Sequence, residues 1–148
     1  MNRPIFSIVL AALVVAAGCS SRSAAPDIRL GDGWARATAP GQTNGAAYLV
    51  IDNPSDTADR LVSVATTRTA TATLHRSAAA GGVMQMRILG ALLIPAGQRI
   101  ALAPGGTHIM LSPLATPLKA GERFALSLRF ERAGDRRVLV SVVAPGAR

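Results

Sequence analysis

The stretch Arg123-Phe124-Ala125-Leu126-Ser127-Leu128-Arg129-Phe130-Glu131 decides the fold class. Its large apolar residues Phe124, Leu126, Leu128 and Phe130 recur at every second position, with Arg123, Ser127, Arg129 and Glu131 between them. A period of two marks a strand with one buried face, because successive side chains leave the backbone on opposite sides. Downstream, Val138 to Val143 is nearly continuous and β-branched, which predicts a central strand. The intervening Glu131 to Arg137, with Ala133-Gly134-Asp135 at its centre, suits a hairpin turn.

Moving outward, Ala46 to Asp52 reads as another strand, closed by the turn Asn53-Pro54-Ser55-Asp56. Shorter strands are expected at Arg60 to Val64, Ala72 to Arg76, Val83 to Leu89, Arg99 to Leu102 and Thr107 to Leu111. Turn signals fall between them at Gly81-Gly82, Pro95-Ala96-Gly97, Pro104-Gly105-Gly106 and Lys119-Ala120-Gly121. No segment carries a sustained helical stripe. Roughly seven to nine short strands at about ten-residue spacing predict an all-β protein, an antiparallel β-sandwich.

At 148 residues and 49% apolar composition, the chain suits one domain with a real core and a short leading segment. That segment reads as an export signal over residues 1–18: positive charge at Arg3, an apolar run from Ile5 to Ala17, then small residues before Cys19. Ala16-Ala17-Gly18-Cys19 resembles the lipobox of bacterial lipoproteins, in which the cysteine is lipidated and becomes the new N-terminus. Ala16 departs from the leucine more usual there. Cys19 is the chain's only cysteine, and a lone thiol at a cleavage junction has little other use. The expected organisation is a lipidated Cys19 and flexible tether over residues 19–27, then one domain over residues 28–148. Ser20, not Asp, follows the cysteine, which points to the outer membrane of a periplasmic location.

Loss of residues 1–18 removes only Arg3 from the 16 basic residues, leaving 15 against 8 acidic. The excess is spread along the chain without clustered aromatics, so nucleic acid is not expected as a partner. A solvated basic surface near anionic lipid or an acidic docking partner is the better reading.

The chemistry lies elsewhere. His75, Met84, Met86, His108 and Met110 are the only histidines, and the only methionines after the initiator. A single methionine at an alternating strand position is usually core packing, and a lone histidine at a strand end is usually just solvated. Jointly, two imidazoles and two thioethers make a donor set for a soft monovalent metal, copper(I). His108 and Met110, two apart on a strand, share a face; so do Met84 and Met86, which makes Met84 a possible auxiliary thioether. Neutral donors leave copper(I) its charge and hold it without thiolate strength, which suits a carrier that must release its metal. Histidine must be neutral to bind, so affinity should fall below a pH of about 6.5.

The pattern His-x10-Met-x21-His-x-Met, read as His75, Met86, His108 and Met110, resembles the periplasmic copper(I) chaperones of the PCuAC family. So do Trp34-Ala35-Arg36, Asn44-Gly45-Ala46-Ala47-Tyr48, Gly82-Val83-Met84, Ile94-Pro95-Ala96-Gly97 and Pro117-Leu118-Lys119-Ala120-Gly121, so that the resemblance runs from Trp34 to Val143. It implies a cupredoxin-like Greek-key sandwich and a monomer that binds one Cu(I). It also implies delivery to the copper-accepting subunit of cytochrome c oxidase or to another copper carrier. Two departures stand out. Arg76 follows the first histidine where some members have Met, and the chain ends at Ala144-Pro145-Gly146-Ala147-Arg148 without a His- and Met-rich tail, so little copper(II) binding is expected. Strand alternation turns Arg76 and Arg87 off the ligand face.

Other functions fit less well. A blue-copper electron carrier needs a cysteine ligand, and Cys19 is at the export junction. A thiol oxidoreductase needs Cys-x-x-Cys. No Ser-His-Asp order supports a hydrolase, so no catalytic residues and no enzyme are expected. The remaining alternative is a surface β-sandwich lipoprotein that buffers copper or has a structural role without delivery.

Overall fold

Residues 25–148 are described by the computed structural model, and all of them lie in strands, in the turns and loops between strands, or in the short segments before the first strand and after the last. In chain order these are β1 (Arg29–Leu30), β2 (Gly33–Arg36), β3 (Gly45–Tyr48), β4 (Val50–Asn53), β5 (Asp59–Ala65) and β6 (Ala72–Ala80). They continue with β7 (Val83–Leu89), β8 (Leu92–Ile94), β9 (Gln98–Ala101), β10 (Thr107–Leu111), β11 (Arg123–Phe130) and β12 (Gly134–Val143). The expected export signal and Cys19 lie outside the described residues. Packing reaches slightly past the expected tether boundary, since Pro26 is buried and its carbonyl accepts from the Ile28 N–H at 3.0 Å.

The alternation around Phe124 becomes β11, with Phe124, Leu126, Leu128 and Phe130 all buried. Each such side chain contributes roughly 1.5–3 kcal/mol on leaving water. The turn that follows is shorter than expected: β12 begins at Gly134, and Arg137 already pairs with Ser127. Polar residues hid those strand positions, and an Asp135–Arg129 ion pair at 2.8 Å bridges the two strands there. The short turn is held from below by the buried carboxylate of Asp59. It accepts from the backbone N–H groups of Arg132 at 2.9 Å and Ala133 at 2.8 Å, and from that of Arg60 at 2.7 Å.

Nine strands form one sheet in the order β7-β6-β10-β3-β2-β12-β11-β5-β8, and β1-β4-β9 form a second. The large sheet curls until β5 meets β6 at Val64 and Ala72, enclosing a core that includes Leu49, Ile51, Leu61, Ile94, Ile109, Leu126 and Val140. The strand expected over Ala46 to Asp52 is split at buried Leu49, passing from the large sheet (β3) into the small one (β4). Such splits and the very short β1, β2 and β8 raise the count to twelve among the described residues. Pairing is antiparallel except between β12 and β2, which run parallel, Val140 beside Gly33. That exception joins strands from opposite ends of the domain, where a long connection makes either direction accessible.

Candidate metal centre

The Pro104-Gly105-Gly106 turn feeds β10, which lies between β6 and β3. Ile109 and Leu111 point into the core, fully buried, so alternation sends His108 and Met110 to the other face. Register does the rest. His108 stands opposite His75 and Met110 opposite Thr73, while Met86 stands opposite Ser77 and Met84 opposite Ala79. Directly opposed residues of an antiparallel pair share a face, so the two histidines and three methionines are all on one side of β10, β6 and β7. The imidazole centroids are 5.8 Å apart.

The arrangement differs from the sequence expectation in detail. β6 does not stop at Arg76 but runs on to Ala80, so His75 is mid-strand rather than near an end. Ser77-Ala78-Ala79-Ala80 has low intrinsic strand preference, and pairing with β7 carries it. Gly81 and Gly82, with φ of 60° and 78°, make the two-residue turn between them, which needs positive φ at both positions. The resulting hairpin projects beyond the core: Met86 is 52% exposed and Met84 58%. A cavity of about 380 Å³ opens beside β10, lined by Met86, His108 and Met110 together with Tyr48 and Arg36. His75 is in the next position of the row, between His108 and Ile88. Met84 is one pair nearer the hairpin tip than Met86, a step of roughly 7 Å along the strand, and does not line the cavity. Arg76 and Arg87 oppose each other on the far face, as alternation requires.

Each histidine has one ring nitrogen with no hydrogen-bond partner among the described residues. His108 is on the outer face yet only 6% exposed. Its Nδ1 is 3.1 Å from the Gly106 carbonyl oxygen. A carbonyl only accepts, so Nδ1 carries the proton and Nε2 keeps the lone pair. For His75, Nε2 is 2.9 Å from the Thr73 hydroxyl, and Nδ1 is buried with no hydrogen-bond partner. Burial first, and the neighbouring His108 second, hold His75 below its ordinary pKa of 6.5, keeping it neutral and able to ligate. Among the described residues no three of His, Cys, Asp and Glu come together. The imidazoles therefore have no carboxylate or thiolate companions, and thioethers are the remaining donors.

Two aromatic residues flank the site without having been assigned a role from sequence. Tyr48 lies beside His108 (6.4 Å between ring centroids) and stacks on Trp34 at 4.4 Å. Burial pushes the Tyr48 hydroxyl up from its usual pKa, with Arg36 partly opposing. Trp34, Tyr48, His108, His75 and Ile88 thus form one row across five strands. Both aromatics stand in landmark motifs, which was the only sequence signal.

A family model described as "Putative lipoprotein LpqE-like" matches residues 28–142. A protein of Leifsonia xyli subsp. xyli, named in the same terms, is 31% identical over 119 residues, covering 80% of this chain and 70% of that protein. Among solved structures, the copper-bound PCuAC domain from PmoF2 superposes with a TM-score of 0.70 at 27% identity, covering 82% of this chain and 97% of that domain. The copper(I) form of DR1885 from Deinococcus radiodurans gives 0.64 at 28% identity, with 86% and 85% covered. The β fold is therefore cupredoxin-like.

Proposed function

The chain belongs to the LpqE-like lipoprotein family and shares the fold of PCuAC domains, and from that premise we propose that it is a copper(I) carrier. The observation that carries the reading is the register of β6 against β10, which sets His75 directly across from His108 on a face shared with Met86 and Met110. One copper(I) is held by His75, Met86, His108 and Met110. The likeness to a copper-bound and a copper(I) domain supports this cargo, and the neutral, thiolate-free donor set suits the monovalent state. The protein binds and passes on its cargo, and performs no catalysis.

In this reading each histidine has its own support. The Gly106 carbonyl orients the His108 ring, and the Thr73 hydroxyl does the same for His75, in the manner of groups that fix metal-binding imidazoles. Met86, on the exposed hairpin, is the ligand most easily exchanged for one from an acceptor. Delivery is to the copper centre of cytochrome c oxidase or to another copper carrier. The chain acts as a monomer in the periplasm, tethered by lipid on Cys19 to a membrane, the outer one favoured over the inner.

Competition for copper(I) against a chromophoric chelator tests this. We expect one copper per chain, and affinity lowered at least about tenfold, or about 1.4 kcal/mol, in each of His108→Ala and Met110→Ala. A wild-type chain that takes no copper from the chelator would leave a structural lipoprotein instead.

A further inference from the structure

From Arg60 to Gly121 the sequence holds no Asp or Glu at all, yet it holds Arg60, Arg68, Arg76, Arg87, Arg99 and Lys119. This is the stretch that supplies β6, β7 and β10. Arg68 and Arg99 find carboxylates outside it, in Glu122 and Asp52. Arg76 and Arg87 form no ion pair among the described residues and oppose each other directly across β6 and β7. Like charges facing each other are mutually destabilising, and a protein whose cargo is a cation gains nothing from them internally.

β7 is also an edge. It pairs with β6 on one side and with nothing on the other among the described residues. Every residue from Val83 to Ile88 is exposed, and four of the molecule's exposed large apolar side chains are Val83, Met84, Met86 and Ile88 on this one strand. Natural edges are ordinarily blunted by bulges, proline, covering loops or charged side chains, because an open one recruits another strand; β7 has one such charge, Arg87, which repels a cationic strand and attracts an acidic one. Here the edge is open, with Met84, Met86 and Ile88 on the face it shares with His75, and Val83, Gln85 and the cationic Arg87 on the other.

We propose that β7 is the docking edge for a partner's extended acidic segment, which adds to the sheet as a further strand. Its alternation is the complement of β7: apolar residues on the face of Met84, Met86 and Ile88, and carboxylates on the face of Arg76 and Arg87. Backbone hydrogen bonds supply affinity and the alternate side chains supply selectivity, as in other strand additions. A second copy of this chain is the wrong occupant, since its own edge brings more arginine to arginine. The proposal rests on the carrier reading only for its purpose: a strand added beside β7 brings its apolar-face side chains next to Met86, where a soft donor from the partner could accept the cargo.

Amide NMR of the full chain tests it, using a synthetic strand peptide of alternating Glu and Leu. The same peptide with Lys for Glu is one control, and phosphatidylcholine vesicles containing phosphatidylglycerol are another. The Glu peptide should shift the amides of β7, bind about tenfold more weakly to the Arg76→Glu, Arg87→Glu double variant, and lose affinity with added salt. Ile88→Ser, which keeps both charges, should weaken it less. Dispersed spectra establish that both variants are folded. Equal binding of the Lys peptide, or a Glu-peptide affinity unmoved by the charge reversal, overturns the proposal. So do vesicles that shift β7 when the peptide does not, and β7 shifts that appear only on concentrating the chain alone. Copper(I) titration runs in parallel. The double variant should bind copper as wild type does; peptide docking without any copper binding would sink the carrier reading and leave the docking edge standing.

Discussion

Two hairpins of nearly equal length do opposite jobs in this protein. β11 and β12 pair over eight residues each, and β6 and β7 over seven. In the first, every second residue of β11 is buried and β12 becomes a central strand. In the second, β7 has no buried residue at all. The ladders are equivalent in backbone hydrogen bonding, so hydrogen bonding does not separate them; what lies beneath does. Burial of Phe124, Leu126, Leu128 and Phe130 makes the β11–β12 wall a source of stability. The β6–β7 hairpin is held mainly at its base, where Leu74 is in the core and Leu89 packs against it, and its outer half leaves Met84 and Met86 in the open.

The sharpest way to break the comparison is to injure each hairpin in turn. Leu128→Ala, in the wall, should cost about 2–5 kcal/mol in denaturant unfolding, while the molecules that remain folded bind copper(I) normally. Met86→Ala, in the hairpin, should do the reverse. Copper(I) affinity falls at least about tenfold, or about 1.4 kcal/mol, while unfolding changes by less than about 0.5 kcal/mol, as is usual for an exposed side chain. Gly81→Ala forces a side chain into positive φ and should cost about 1 kcal/mol. That loss should be seen as faster amide exchange in β6 and β7, with the wall unaffected.

Acidity acts on the hairpin side too. An unfolded histidine takes its proton near pH 6.5, whereas folded His75 resists protonation to lower pH. Its contribution to stability is therefore complete above about 6.5 and is lost as pH falls from there toward the folded value. Copper(I) affinity of the folded chain should hold through 6.5 and decline only as pH falls through the lowered folded value of His75, and the decline should be shallower in His75→Ala. Smallest of all is Met84→Ala, one pair beyond the cavity: a change of less than about threefold in copper affinity, under about 0.7 kcal/mol. A loss as large as that of Met86→Ala would place Met84 among the ligands and shift the site toward the tip.

Much of the wall was legible because its signal is local. Alternation from Phe124 to Phe130 needs only neighbours in sequence, and the turn glycines announce themselves the same way. The hairpin was half legible. Its ligand types and the shared face of His108 and Met110 follow from a period of two, but Ser77 to Ala80 carry no strand signal of their own. Their conformation comes from β7, which one strand read in isolation does not contain. The stacking of Trp34 on Tyr48 depends on register between successive strands, and the opposition of His75 to His108 on register between strands that three others separate in the chain. The closing contact of β5 with β6 and the parallel β12–β2 pair are longer-range still. Even the wall had a blind spot, where charged Asp135, Arg136 and Arg137 masked strand positions that Asp59 and the Arg129 pair hold in place.

The parallel pair of β2 with β12 sets an order of events in folding. β2 ends at Arg36, and its partner does not begin until Gly134. Contacts of such separation close slowly, because the loop entropy between them must be overcome before they contribute anything. His75, Met86, His108 and Met110 all precede Leu111, so a growing chain presents every proposed ligand before β11 and β12 exist. The part proposed to handle the metal is made first and the β11–β12 wall is made last, so a chain interrupted after β10 should be a set of loose side chains rather than a smaller carrier.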